Sequence, residues 1–348
     1  MELNQKYCGS SQCKFLFLYK VMEQESKARK HFKQFVQIAQ KLNRTLVLTN
    51  VGESRIGACF TYPFSYYYST EFLQKNFPDL RVITQQQFSE WTRLRKQKPS
   101  SHQIFFQESH QDTSFGFVEN EPILSKLKRD LCHEFIKFYF DTLKRFDDAE
   151  ILLMDQKFHH EFFLKRVPDL EYAPHIIEKA LEIIRNLQPF IAAQWRMELG
   201  NPLNMPRCAE KLVSHVESLK VIYNTRNVYL ATDYPLKDSL AQSFTFHNVK
   251  IEYHGKAMDI LRDKIGFLSW LNYTLTDQFG NEMDVKDFAS SGIPGILDKI
   301  VCSRAKIFLT APPECRKRSS SYTSMITGER LALMKNGIKE IENINLEW

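Results

Sequence analysis

The sequence predicts an α/β protein built from two doubly wound domains. Its 348 residues give room for about two domains. Hydrophobic residues make up 43 % and charged residues 25 %, so the chain can bury sizeable cores. Short apolar strands alternate with amphipathic helical stretches in both halves, the rhythm of parallel sheets crossed by helices. The seam is expected near residue 185, giving domains 1–185 and 186–348.

The first fifty residues read as a β-α-β unit. Phe15–Tyr19 is a short buried strand, and residues 25–42 carry Phe32, Phe35, Val36, Ala39 and Leu42 on one helical stripe. Thr45–Leu48 is the returning strand. The segment Lys20–Gln24 lies where parallel sheets place their ligands, at the carboxyl ends of strands. Residues 50–77 are aromatic and irregular around Tyr66-Tyr67-Tyr68. Residues 96–121 read as a long polar surface insert, followed by a helix over 123–145 and a strand over Ala149–Met154.

A helix over 173–187 stops near Pro189 and opens a second series. Phe190–Ala193 is a strand ending at Gln194-Trp195-Arg196. Residues 208–223 are a helix with Leu212, Val216 and Leu219 inwards. Val228–Thr232 is a strand ending at Asp233. Val249–Tyr253 reads as a further strand. A short helix from about Pro294 leads to strand Ile307–Leu309. Residues 321–336 form a closing helix, stopped by Asn336-Gly337.

Composition narrows the function. Only 12 glycines occur, and neither G-x-G-x-x-G nor G-x-x-x-x-G-K-[ST] is present, so the usual glycine-rich phosphate loops are excluded. The net charge of +6 is spread among acids rather than gathered on one face, which argues against a nucleic-acid partner. A cleft attracting anionic small molecules fits better. The seven cysteines have no C-x-x-C spacing and suggest no zinc site. Sequons at Asn43 and Asn272 are compatible with a secretory protein, while no signal peptide or membrane span is legible.

Several groups could carry chemistry. Arg196 ends a buried strand and aims a planar cation that suits phosphate or carboxylate; pairing with Glu198 is the plainer alternative. Ser319, Ser320, Ser321, Tyr322 and Thr323 open a helix, as caps or as a phosphate cradle. Asp233 could bind a sugar hydroxyl or hold a loop. Glu23, in Met22-Glu23-Gln24, could be a general base or complement a helix dipole. His159-His160-Glu161 lacks metal-ligand spacing, and Asp147-Asp148 reads as an exposed turn without the D-x-D form. Glu329 and Arg330 on the last helix read as structural.

Taken in order, these segments resemble the GDP-fucose protein O-fucosyltransferase family. The matching residues are the Glu23-Gln24 loop, Ala39–Leu48 against an A-x-x-L-N-R-T-L helix end, and Gln194-Trp195-Arg196 against an H-x-R strand end. They continue with Val228–Asp233 against V-Y-V-A-T-D, and Ala305–Leu309 with Ser320–Thr323 against A-D-x-F and S-S-F-T. The resemblance spans nearly the whole chain.

It implies a GT-B fold, two Rossmann-like domains facing a central cleft, with the acceptor on residues 1–185 and the donor on 186–348. Fucose would pass from GDP-fucose to a Ser/Thr hydroxyl of a protein, with inversion, without a metal or other cofactor, in the ER or Golgi lumen. Arg196 would hold the diphosphate, Glu23 would act as base, and Gln194, Asp233, Ser320, Ser321, Tyr322 and Thr323 would contact the donor. Departures from the family pattern are Met22 for glycine, Gln194 for histidine and Lys306 for the aspartate that contacts guanine. Pro312–Arg318 reads as an insertion before the serine segment. The departures leave two alternatives: an impaired homologue that binds glycan or protein, and a transferase with another nucleotide-sugar donor.

Overall fold

The computed structural model describes residues 2–20, 24–105, 119–122, 147–155, 169–198, 200–237, 246, 248–316 and 320–348. The chain forms two compact units, Met1–Ala173 and Pro174–Trp348. The division falls before helix Pro174–Leu187 rather than near residue 185, because that helix packs on helix Ile293–Ser303 of the second unit. The expected helix over 123–145 lies outside the described residues.

In the first unit, β1 (Phe15–Lys20) and β2 (Thr45–Leu48) flank helix Glu25–Lys41 in sequence. A small antiparallel hairpin follows, β3 (Val51–Gly52) with β4 (Arg55–Ile56). The sheet is completed by β5 (Val82–Thr84), β6 (Ser101–Phe105), β7 (Glu119–Pro122) and β8 (Ile151–Asp155). Its order is β5-β2-β1-β8-β6-β7, and among the described residues its strands pair in parallel. β1 reads as an unbroken apolar run because it is central and covered on both faces. Phe15 and Phe17 meet Phe88, and Phe15 meets Trp91 edge-on at 4.7 Å. On helix Glu25–Lys41, Phe32 packs on Phe64 at 4.7 Å.

Two expectations for this unit are corrected. The supposed surface insert 96–121 contributes β6 and β7 to the sheet. Its Ser-His-Gln start hides the strand from a hydrophobicity scan, since backbone pairing to β8 holds it there. The irregular stretch 50–77 contains the hairpin, a turn of 3₁₀ helix at Phe64–Tyr66 and helix Thr70–Asn76, capped by Ser69. Helices Glu2–Cys8 and Gln85–Leu94 went unread, although Thr84 and Gln87 form a reciprocal capping box at the second.

The second unit holds β9 (Phe190–Trp195), β10 (Asn227–Thr232), β11 (Ile307–Thr310) and β12 (Leu346–Glu347), ordered β10-β9-β11-β12 and parallel. β9 is buried along its whole length. Helix Met205–Tyr223 buries Leu212, Val216 and Leu219 as expected, starting slightly earlier than residue 208. Val249–Tyr253 is not a strand. Residues Ile251–Gly255 form a wide helical turn that runs into helix Lys256–Lys264. The Lys250 carbonyl accepts the His254 amide at 2.8 Å, and Ile251, whose apolar alternation suggested a strand, is exposed.

Each of the two parallel sheets has a buried arginine at its amino edge. Arg44 donates to the carbonyls of Ala149 at 2.8 Å and Asp147 at 3.2 Å, and Asp147 also pairs with Lys14. Arg330, fully buried, donates to the carbonyls of Cys302, Ser303, Ala305 and Asn343. Its structural reading is therefore correct. Parallel strands leave carbonyls unpaired at their ends, and a guanidinium can donate to several at once.

Two disulfides join Cys8 to Cys13 and Cys208 to Cys315. Among the described residues Cys59 and Cys302 are free thiols. No described helix is long and apolar enough to cross a membrane.

Candidate active site

Parallel pairing brings the carboxyl ends of β9, β10 and β11 to one edge of the second sheet. Gln194 lies level with Ala231 on one side and Thr310 on the other, and Trp195 lies level with Thr232. Arg196 and Asp233 follow directly at that edge, where open parallel sheets bind ligands.

Helix Ser321–Lys335 begins at the same edge. Ser320 is its N-cap, and its hydroxyl accepts the Thr323 amide at 3.3 Å. The Thr323 hydroxyl donates to Gln194 Oε1 at 2.8 Å. This bond ties the positive end of the helix to the end of β9. Ser321 is exposed in the first turn. Tyr322 is half-buried, donates to the Gly295 carbonyl at 2.7 Å, and has Lys299 Nζ 5.9 Å from its ring centre. Of the two sequence readings of the serine segment, the cap has a direct contact, at Ser320.

Arg196 is partly exposed, at 21 % of its side chain, and forms an ion contact with Glu198. Glu198 is buried, and neither of its carboxylate oxygens has a hydrogen-bond partner. Asp233 accepts the amides of Met197 at 2.8 Å and Glu198 at 3.1 Å, so it fixes the loop that carries Arg196. Burial pushes its carboxyl up to about 6; the two amides oppose that shift, the Glu198 charge adds to it and Arg196 opposes it. Of the two sequence readings of Asp233, the loop-holding one has direct contacts.

Trp195, between Gln194 and Arg196, donates its indole N–H to the Cys315 carbonyl at 2.8 Å. Cys315 is bonded to Cys208, and Glu314 next to it pairs with Lys211 at 2.8 Å. The loop leading to Ser320 is therefore pinned to helix Met205–Tyr223. No spacing in the sequence signalled this staple. Arg316 donates to the Ala311 carbonyl and pairs with Glu347 at 2.9 Å, so it serves the loop; Lys317, Arg318 and Ser319 lie outside the described residues.

Lys306 is at the opposite edge. Its amide donates to Phe190 O at the amino end of β9, and its ammonium lies 3.9 Å from Glu342 and over the Tyr223 ring. Lys306 therefore lies before β11, at the amino edge of the sheet, while Arg196 and Asp233 lie at the carboxyl edge.

In the first unit, Met22 and Glu23 lie outside the described residues, as do His159, His160 and Glu161. The next acid, Glu25, is buried in the first turn of its helix. Its Oε1 accepts the hydroxyls of Tyr68 and Tyr172, each at 3.1 Å. Arg29 stacks on Tyr172 at 4.9 Å. Burial and then the Glu25 charge hold both phenols well above their usual range, as protonated donors. The tyrosine run thus anchors the start of the first crossover helix, a role the sequence did not disclose. Among the described residues no group of three or more His, Cys, Asp or Glu side chains is arranged to hold a metal.

The model of the GDP-fucose protein O-fucosyltransferase family matches residues 26–333. The chain belongs to this family. It is a glycosyltransferase of the fucosyltransferase type, with the α/β GT-B class of fold. POFUT1 in complex with GDP-fucose (crystal form I) is similar at TM-score 0.54 and 13 % identity, over 97 % of this chain and 98 % of that one. POFUT1 in complex with GDP (crystal form III) is similar at TM-score 0.52 and 13 % identity, over 97 % and 99 %. No curated protein is significantly similar in sequence.

Proposed function

We propose that this family member transfers fucose from GDP-fucose to a serine or threonine hydroxyl of a protein, with inversion and without a metal. The observation that carries the reading is the Gln194–Thr323 bond, which joins the Arg196 strand end to a helix start. Two positive features then converge on one place: a guanidinium and the amino end of a helix. A diphosphate fits both.

The chemistry needs that charge. As the bond from the sugar's anomeric carbon to the phosphate oxygen breaks, negative charge develops on GDP. Arg196 and the helix start stabilise it in place of a cation. Ser320 and Thr323 hold the helix start in position, while Ser321 and Tyr322 offer contacts to the donor. Asp233 holds the Arg196 loop. The acceptor hydroxyl attacks from the opposite face and gives its proton to a base. Glu23 is the proposed base, and the first unit is the proposed acceptor side.

Two disulfides suit an oxidising compartment, and we assign the protein to the ER or Golgi lumen on that ground and on its family. Calorimetry with GDP, GDP-fucose, GDP-mannose and UDP-sugars tests the donor. Saturable binding of GDP-fucose, with hydrolysis that vanishes in folded Arg196→Ala, is the expected result. Failure to bind any of them would overturn the reading.

A further inference from the structure

Arg196 has Glu198 as its acid partner in the structure, and the proposed anionic substrate competes for the same cation. Glu198 is 1 % exposed, its oxygens accept no hydrogen bond, and Arg196 is its ion partner. Asp233, at the end of β10, reaches across to this loop and already uses both oxygens on the amides of Met197 and Glu198. Glu198 and Arg196 are charged groups that act on Asp233. The cluster therefore holds two carboxyl groups against one guanidinium, at the place where a diphosphate must arrive.

A buried carboxylate stripped of its cation is costly, and such a group neutralises by binding a proton. The geometry points to a proton taken up with the donor: the diphosphate draws Arg196 away from Glu198, and the Glu198–Asp233 carboxyl pair gains one proton from solvent. The balance is simple. One O–H bond forms on the pair, no covalent bond breaks, and the local charge falls by one negative unit as the anion enters. Asp233 is already poised for this by its burial and its acidic neighbour. This inference rests on the donor reading given above.

The test is calorimetry of GDP-fucose binding to the full chain without acceptor, in buffers of different ionisation enthalpy. GDP-fucose is the right probe because its diphosphate, esterified at both ends, has no group titrating near neutrality. The expected result is uptake approaching one proton at pH 7, with Kd weakening by up to about tenfold per pH unit between pH 6.5 and 8. In Glu198→Gln the uptake and the pH slope should both collapse while binding persists. GDP-fucose binding by the native chain with no proton exchange and a flat pH profile would overturn this inference and leave the donor reading standing. So would uptake that persists in both Glu198→Gln and Asp233→Asn. Absence of GDP-fucose binding at every pH would overturn both.

Discussion

Thr323 donates a hydrogen bond of 2.8 Å to Gln194 across 129 residues of sequence. A strand end and a helix start are thereby held together by one neutral bond, where the family pattern has a histidine in place of Gln194. Thr323→Val keeps the shape and removes the donor. It should cost about 1 kcal/mol of stability and weaken GDP-fucose binding by about five- to tenfold. Thermal unfolding and calorimetry check both. Unchanged affinity beside reduced stability would make the bond purely structural.

Arg196 offers a fork that no lysine reproduces. Arg196→Ala should lower kcat/KM by at least about a hundredfold, and Arg196→Lys should recover only a small part. Steady-state kinetics with far-UV circular dichroism as a folding check decides this. Full recovery with lysine would show that charge alone matters there.

Arg330 should matter to the fold and leave the chemistry alone. Its guanidinium satisfies carbonyls at the amino edge of the second sheet, including Ala305 at 2.7 Å and Asn343 at 2.6 Å. Arg330→Met should cost about 3–5 kcal/mol, since buried carbonyls lose their partners. Denaturant titration measures the loss. Protein that stays folded at low temperature should keep its Kd for GDP-fucose.

Asp298 gives a pH dependence of stability. It accepts the Tyr229 hydroxyl at 2.6 Å in a buried site, and burial pushes its carboxyl up to about 7, with the Tyr229 bond opposing. A folded-state value above the unfolded one means the fold holds this proton more tightly. The contribution is complete below the ordinary carboxylate value of 3.8 and is lost as pH rises through about 7. Asp298→Asn should flatten this slope and raise Tm relative to the native chain at pH 8. A Tm profile over pH 5–8 checks it; parallel profiles for the two proteins would remove Asp298 from the account.

Much of the site was legible because strand ends are legible. Phe190–Arg196 and Val228–Asp233 are continuous apolar runs closed by a polar residue, and a fully buried parallel strand must read that way. Ser320 announced a cap because hydroxyls at helix starts accept orphan amides. Other features were hidden for equally physical reasons. β6 is held by backbone pairing through a polar stretch, so its side chains carry little signal. Val249, Ile251 and Tyr253 alternate like a strand, but the His254 amide donates to the Lys250 carbonyl and the Lys250 amide donates to His254 Nδ1, which winds the backbone. Lys306 was matched to a guanine contact by motif alone, and only the direction of β11 shows which edge it occupies. Glu25 drew no notice because its partners, Tyr68 and Tyr172, are remote in sequence.

The Cys208–Cys315 bond spans 107 residues and ends five positions before Ser320. A ring of that size cannot close until its later cysteine has been synthesised and has met an oxidant. The loop before Ser320 is thus locked late in biosynthesis, and by oxidation rather than by glycine geometry. Protein made in a reducing cytosol would carry every residue of the site and lack the clasp that keeps them in place.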